Sequence, residues 1–167
     1  YTALTGNISL AFHPDDSWKI ATIASTGFHA PNIDDTGKLF YKGNILTIPN
    51  FNLEPEYART VELNITKNVN NRLLFNANTY YTFIEDAIMR VNTSLDFQIN
   101  QDEFFTEAKT NKNTGNAEIY GATASASLRV ASNYTLETDY TLIKGRNIDN
   151  DLPFTHIPPA FGKTAFY

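Results

Sequence analysis

Glu56-Tyr57-Ala58-Arg59-Thr60-Val61-Glu62-Leu63-Asn64-Ile65-Thr66-Lys67 alternates almost without a fault. Tyr57, Val61, Leu63 and Ile65 fall on one face, with Arg59 as the exception. Glu56, Ala58, Thr60, Glu62, Asn64 and Thr66 fall on the other. Such a period of two is the mark of a strand with one apolar and one polar side. Asn68-Val69-Asn70-Asn71 has the composition of a short turn, and the alternation then resumes at Arg72. Leu73, Phe75, Ala77, Thr79, Tyr81 and Phe83 form its apolar face; Asn76, Asn78, Tyr80 and Thr82 form the polar one.

Outward from this pair the rhythm continues. Upstream, Gly6 to Phe12 alternates, His13 to Ser17 reads as a tight turn, and Trp18 to Phe28 is the next strand. Downstream, Asn116 to Val130 and Tyr134 to Leu142 alternate around Ala131-Ser132-Asn133, and a last partial strand ends at Tyr167. The segment 92–114 is polar and irregular, with Leu95, Phe97 and Ile99 as the edge of a small hairpin. The expectation is about seven antiparallel strands and no helix.

Connection length sorts these strands. The turns near Pro14, Asn70 and Ser132 are short; the connections that begin near Ala30, Asn92 and Lys144 are long. Short and long alternate without a break, as in outer-membrane barrels, where short turns gather at one end and long loops at the other. The polar face carries Asn64, Thr66, Asn76, Asn78, Thr123, Ser125, Ser127, Glu137 and Asp139. A sandwich could hold these in water and bury the opposite face, so polarity alone leaves a soluble β-sandwich open. Strand length favours the barrel: alternation from Arg72 toward Met89 exceeds the usual five or six residues, whereas a tilted spanning strand needs about nine to eleven. Tyr57, Tyr81, Tyr120, Tyr134 and Tyr140 would suit interfacial girdles.

Several functions are excluded or disfavoured. The chain has no cysteine, hence neither disulfides nor zinc thiolates. Its net charge is −5 and no basic tract occurs, which disfavours nucleic acid. No apolar run is long enough for a membrane helix, a fact that leaves strand-spanning barrels untouched. Asp34-Asp35, Asp102-Glu103 and Asp149 with Asp151 lack the spacing and sharp glycine turn of a calcium loop. No nucleophile elbow or other catalytic motif surrounds the Ser, His and Asp residues, so no catalytic residue, metal site or cofactor is expected. The chain opens at Tyr1 inside patterned sequence and is read as part of a longer protein.

The longest connection, between Gly27 and Glu56, starts Gly27-Phe28-His29-Ala30-Pro31-Asn32 and ends Asn50-Phe51-Asn52-Leu53-Glu54-Pro55-Glu56. A connection of this length is usually functional. Pro31 and Pro55 force the residues before them toward extended backbone, and Asn50 and Asn52 suit turns. These pieces resemble the paired Phe-Arg-Ala-Pro and Asn-Pro-Asn-Leu-x-Pro-Glu motif of TonB-dependent outer-membrane receptors. His29 stands where that family usually has Arg, and Phe51 where it has Pro. Asn116-Ala117-Glu118-Ile119-Tyr120-Gly121, Tyr134 to Lys144 and His156-Ile157-Pro158-Pro159-Ala160-Phe161-Gly162 are similar to later strands of the same barrels.

The resemblance implies an antiparallel up-and-down transmembrane β-barrel, of which 1–167 is a late part of one domain. The whole barrel would have about 22 strands around an N-terminal plug, and neither the plug nor the remaining strands lie in this chain. It implies a receptor in the outer membrane of a Gram-negative bacterium. Such a receptor binds a scarce nutrient (a ferric siderophore, cobalamin or a glycan) outside and imports it with energy delivered by TonB through the plug. Its partners would be the TonB complex, the nutrient and membrane lipid. Haem receptors of the family place a His between the two halves of the motif; none stands between Pro31 and Asn50, so haem is not supported. Phe28, Ala30, Pro31, Asn50, Asn52, Leu53, Pro55 and Glu56 are expected to shape the loop base. Phe28, His29, Asn32 and Phe51 are the candidates for ligand contact. The rival readings are a soluble β-sandwich carbohydrate-binding module and a passive porin.

Overall fold

The computed structural model describes residues 2–94, 107–149, 151–154 and 157–167. Seven strands form an antiparallel meander: β1 (Gly6–Phe12), β2 (Trp18–His29), β5 (Glu56–Val69), β6 (Leu73–Glu85), β9 (Ala117–Ala131), β10 (Tyr134–Asn147) and β12 (Phe161–Phe166). Each pairs with the next in chain order, and a two-residue strand, β11 (Leu152–Pro153), adds to the far end of β10. The alternating stretches are therefore the strands. Three boundaries move: β5 continues to Val69, into the stretch read as a turn; β10 continues to Asn147, past Leu142; and β6 stops at Glu85, not Met89, because Asp86 takes φ +56° and breaks the extended run.

The register assigns the two faces. Leu10, Thr22, Leu63, Thr79, Ala122 and Leu142 lie in one row across six strands. The next row holds Ile8, Ala24, Val61, Tyr81, Tyr120 and Lys144. These large apolar side chains are exposed: Ile8 67%, Leu10 68%, Val61 58%. A β-sandwich would cover this face with a second sheet; here it stays bare, so the sandwich reading fails. Three of its threonines are satisfied across the sheet. Thr22, Thr79 and Thr138 each donate a hydroxyl to a neighbouring strand's carbonyl, at 3.1, 3.1 and 3.3 Å, which removes the cost of a hydroxyl in an apolar medium.

The opposite face is polar and cross-linked. Asn78 Nδ2 donates to Asn64 Oδ1 at 2.7 Å, Thr66 to Asn76 Oδ1 at 3.0 Å, and Thr60 pairs with Thr82 at 2.8 Å. Arg59, the charge on the apolar face, meets Glu85 with both nitrogens at 2.9 and 3.0 Å. Across the same end, Arg146 Nε donates to Glu118 Oε1 at 2.7 Å, and the Tyr81 hydroxyl donates to Glu118 Oε2 at 2.8 Å. The apolar band thus ends in a row of tyrosines and paired charges. At the other end Lys67 lies over the Trp18 ring, 4.4 Å from its centroid, and Tyr134 stacks on Phe166. Tyr140 differs from the other tyrosines: it stands mid-strand, beside Gly162.

The short turns gather at one end. Asn70 and Asn71 both take positive φ, and Arg72 N donates to Val69 O at 2.9 Å. Between β1 and β2, Asp15 accepts from the Ser17 amide at 2.7 Å and from its hydroxyl. At the other end the long connections carry structure that the sequence reading missed. The first contains α1 (Ile33–Thr36), β3 (Phe40–Lys42) and β4 (Ile45–Ile48); the second contains β7 (Ile88–Thr93) and β8 (Glu107–Asn113). So the expectation of no helix is corrected by one turn of helix, and 92–114 is partly strand. Leu95, Phe97, Ile99 and Asp102-Glu103 lie outside the described residues, as does His156.

Candidate functional site: the mouth of the wall

The two longest connections fold into one unit. β3, β4, β8 and β7 make a second, four-stranded sheet in that order. Its centre is a parallel pair between different connections, with Ile45 opposite Glu107 and Ile48 opposite Thr110. Parallel neighbours cannot be joined by a hairpin, so this sheet exists only because both connections meet at the same end. Leu46, Thr47, Ala108 and Thr110 are buried within it.

Asparagine side chains fasten this sheet to the wall. Asn50 Nδ2 donates to Asn111 O at 2.8 Å, and Asn111 Nδ2 donates to Asp35 O at 2.9 Å. Asn113 accepts from Glu54 N at 2.9 Å and donates to Glu54 O and Asp86 O at 2.9 and 2.8 Å. Asn147, wholly buried at the end of β10, donates to Thr114 O at 3.1 Å and Thr114 Oγ1 at 2.9 Å. An amide carries both donors and acceptors on a short stem, so it can replace a missing strand partner. Sequence reasoning passed over Asn111, Asn113 and Asn147. The available signal was polar alternation in Thr110-Asn111-Lys112-Asn113-Thr114, which lacks the apolar face that identified the wall strands.

The paired motif sits at the foot of this unit. Leu53 and Pro55 are buried, Leu53 to 2% exposure. Asn50 N donates to Thr36 O at 2.9 Å, and Asn50 Oδ1 accepts from Asn52 N at 3.0 Å. Glu56 divides its carboxylate: one oxygen accepts from Ile88 N, the other meets His29 Nδ1 at 2.9 Å. The second ring nitrogen of His29 lies 3.5 Å from Asp35. Asn32 caps α1, accepting from Asp34 N at 2.7 Å and Asp35 N at 3.1 Å, while Asp35 closes the box on Asn32 N at 3.0 Å. Ala30 and Pro31 carry the chain from β2 into that cap.

The four candidates for ligand contact separate. His29 and Asn32 share the carboxylate of Asp35, and the His29 side chain, on the polar face, is half exposed. Phe51 is 77% exposed beside the motif. Phe28 pairs with Tyr57 on the apolar face and stacks on it, with ring centroids 6.4 Å apart. It is on the opposite side of β2 from His29.

With this geometry established, known proteins can be compared. The family described as TonB dependent receptor-like, beta-barrel, matches residues 1–167. An iron-regulated outer membrane virulence protein of Vibrio cholerae (El Tor strain N16961) is 29% identical over 132 residues, covering 76% of this chain and 20% of that protein. Among solved structures, the copper transporter OprC superposes with a TM-score of 0.78 at 17% identity, over 97% of this chain and 23% of that one. The Serratia marcescens hemophore receptor HasR, solved with its hemophore HasA and heme, gives 0.76 at 15% identity, over 96% and 29%. The siderophore receptor PirA of Pseudomonas aeruginosa gives 0.69 at 15% identity, over 86% and 28%. At these identities the structural likeness establishes the fold alone.

Proposed function

Since the chain belongs to the TonB-dependent receptor β-barrel family, transport receptors of the Gram-negative outer membrane, we propose that it helps import a scarce nutrient, foremost an iron-carrying ligand such as a ferric siderophore. It spans about a fifth of the length of the curated relatives it matches. The plug, the TonB contact and the energy coupling therefore belong, on this reading, to the rest of the receptor. The long connections face the outside and the short turns face the periplasm, the usual polarity of such barrels. The observation that carries the reading is the joint sheet: two long connections held together across β4 and β8, above the polar face, with the paired motif at their foot. A preorganised mouth reduces the ordering cost of capturing a ligand.

Phe51 and His29 are the contacts we assign to the ligand; Asn32 shares Asp35 with His29, whereas Phe28 packs on Tyr57 on the opposite face and is not among them. Iron is favoured because the similar Vibrio protein is iron-regulated. The test is binding and uptake of a ferric siderophore panel by the intact receptor, with and without residues 34–48. The deletion should abolish binding while the barrel still reaches the membrane. A tag at Gly37 should label on sealed cells and one at Asn70 should not. Undiminished uptake without residues 34–48, or uptake without TonB, would refute the proposal; the latter would favour a passive porin.

A further inference from the structure

The short-turn end of the polar face holds two arginines side by side. Arg129 N donates to Arg72 O at 2.8 Å, one step beyond the pairing of Leu73 with Leu128. The two residues therefore stand directly opposite each other, at the turn ends of β6 and β9, and like charges so placed repel. At the mouth, Arg59 and Arg146 each hold a carboxylate of a neighbouring strand. Arg72 and Arg129 make no ion pair among the described residues, and the turns at 13–17, 70–72 and 132–133 are all described. On the same face, Glu137 meets the Ser127 hydroxyl at 3.5 Å and Asp139 meets Lys163 at 3.6 Å.

Beside the arginines lies a hollow of about 220 Å³, lined also by Asn68, Asn71, Ser127 and Thr135. Its side chains bring guanidinium, amide and hydroxyl donors together. Its backbone brings none: the amides of Asn71, Arg72, Arg129 and Thr135 are spent on Asn68 Oδ1, Val69 O, Arg72 O and Tyr167 O. Phosphate cradles are commonly built on free backbone amides, whereas the planar guanidinium fork matches the edge of a carboxylate. We propose that this hollow is a carboxylate site, in which Arg72 and Arg129 together hold one carboxyl group. An anion between the arginines turns their repulsion into attraction, which a pair facing only water would not do. The carboxyl group has two possible sources: an acidic side chain elsewhere in the receptor that reaches the lumen, or a carboxylate-bearing ligand at the periplasmic exit. The inference rests on the polar face lining the lumen, and not on which nutrient is carried.

The test uses the full-length receptor carrying Arg72→Lys or Arg129→Lys, changes that keep the charge and supply an amine. A water-soluble carbodiimide then joins amines to carboxylates in contact with them, and the linked peptides are read by mass spectrometry. Lys163, which faces Asp139, is the internal control. A link at position 72 or 129 should appear in its variant. Formed without additive and to an acidic residue outside residues 1–167, it assigns the carboxyl group to the receptor itself; formed only with citrate present, it assigns the group to a free ligand. In the second case citrate binding, followed by calorimetry, should weaken about ten-fold or more in Arg72→Gln, the loss expected for a hydrogen bond to a charged group. Lys19→Gln, on the same face, should leave it unchanged. No link at either position while Lys163 joins Asp139 would overturn the proposal. So would links confined to Glu137 or Asp16, since the wall would then satisfy its own arginines, or inorganic phosphate binding more tightly than citrate.

Discussion

The two ends of the meander are built on different principles. At the short-turn end none of the described residues is buried; the strands simply turn, through left-handed asparagines at Asn70 and Asn71 and an Asp15–Ser17 clasp. At the long-connection end lie Leu46, Thr47, Leu53, Ala87, Ala108, Thr110, Ala117 and Asn147, the buried side chains of the described residues apart from Pro55 beside them. The wall between is held by ladder bonds and cross-strand pairs, the mouth by packing and by amides bonded to backbone. A barrel wall needs no core of its own because lipid covers one face and the lumen the other. A mouth in water has neither, and must make its own.

That contrast can be broken at its strongest point. Leu53→Ala removes the most buried large side chain of the motif and should cost about 2–5 kcal/mol, as core Leu truncations do. The loss should appear as faster hydrogen exchange in α1, β4 and β8, with β5 and β6 unchanged. If exchange rises equally in the wall, the two ends are not separate units.

The wall offers the next test. Leu63→Lys, near the middle of β5, should destabilise the barrel by about 2–4 kcal/mol, the cost of a lysine on the lipid face at mid-bilayer. Asn64→Lys, one residue on, should cost much less. Phe75, two residues from the start of β6, stands closer to the turn end, so Phe75→Lys should cost less than Leu63→Lys. Urea unfolding from liposomes would rank the three; equal costs at Leu63 and Asn64 would deny the two faces.

Turn substitutions should matter less. Asn70→Val places a branched side chain at φ +51° and should cost about 1–2 kcal/mol, while Asn71→Gly should be close to neutral. The smallest effect concerns Asp15. Its bonds from the Ser17 hydroxyl and amide hold its carboxyl below the ordinary value. The stability this adds is present above that ordinary value and disappears as pH falls through the lowered one. Ser17→Ala should move the Asp15 titration upward, measurable by NMR, without detectable change in the barrel at neutral pH.

The wall was legible because each strand is long, alternates, and ends at a recognisable turn. Even Arg59, the break in its pattern, marks the rim where Glu85 receives it. The mouth was not legible in the same way. β3 and β4 are three and four residues long, too short to show a period. β4 finds its partner some sixty positions away in β8, in a parallel pairing that no local signal encodes. The paired motif was readable as a loop base, because Pro31, Pro55 and the asparagines constrain their own backbone. Which residues they reach, Asn111, Asn113 and Ile88, depends on the fold of a different connection. Asn32 shows the limit most plainly: its place beside a helix start was unreadable while the helix was a single turn.

The joining of the two connections is most directly tested by a disulfide across the parallel pair. Ile45 and Glu107 are register partners, and this segment has no native cysteine to confuse the result. Ile45→Cys with Glu107→Cys, introduced into the full receptor, should oxidise readily, since paired strand neighbours fall within disulfide reach. Ile45→Cys with Asn113→Cys, further along β8, should remain reduced. Failure of the first pair to cross-link, or equal cross-linking of both, would contradict a single folded mouth.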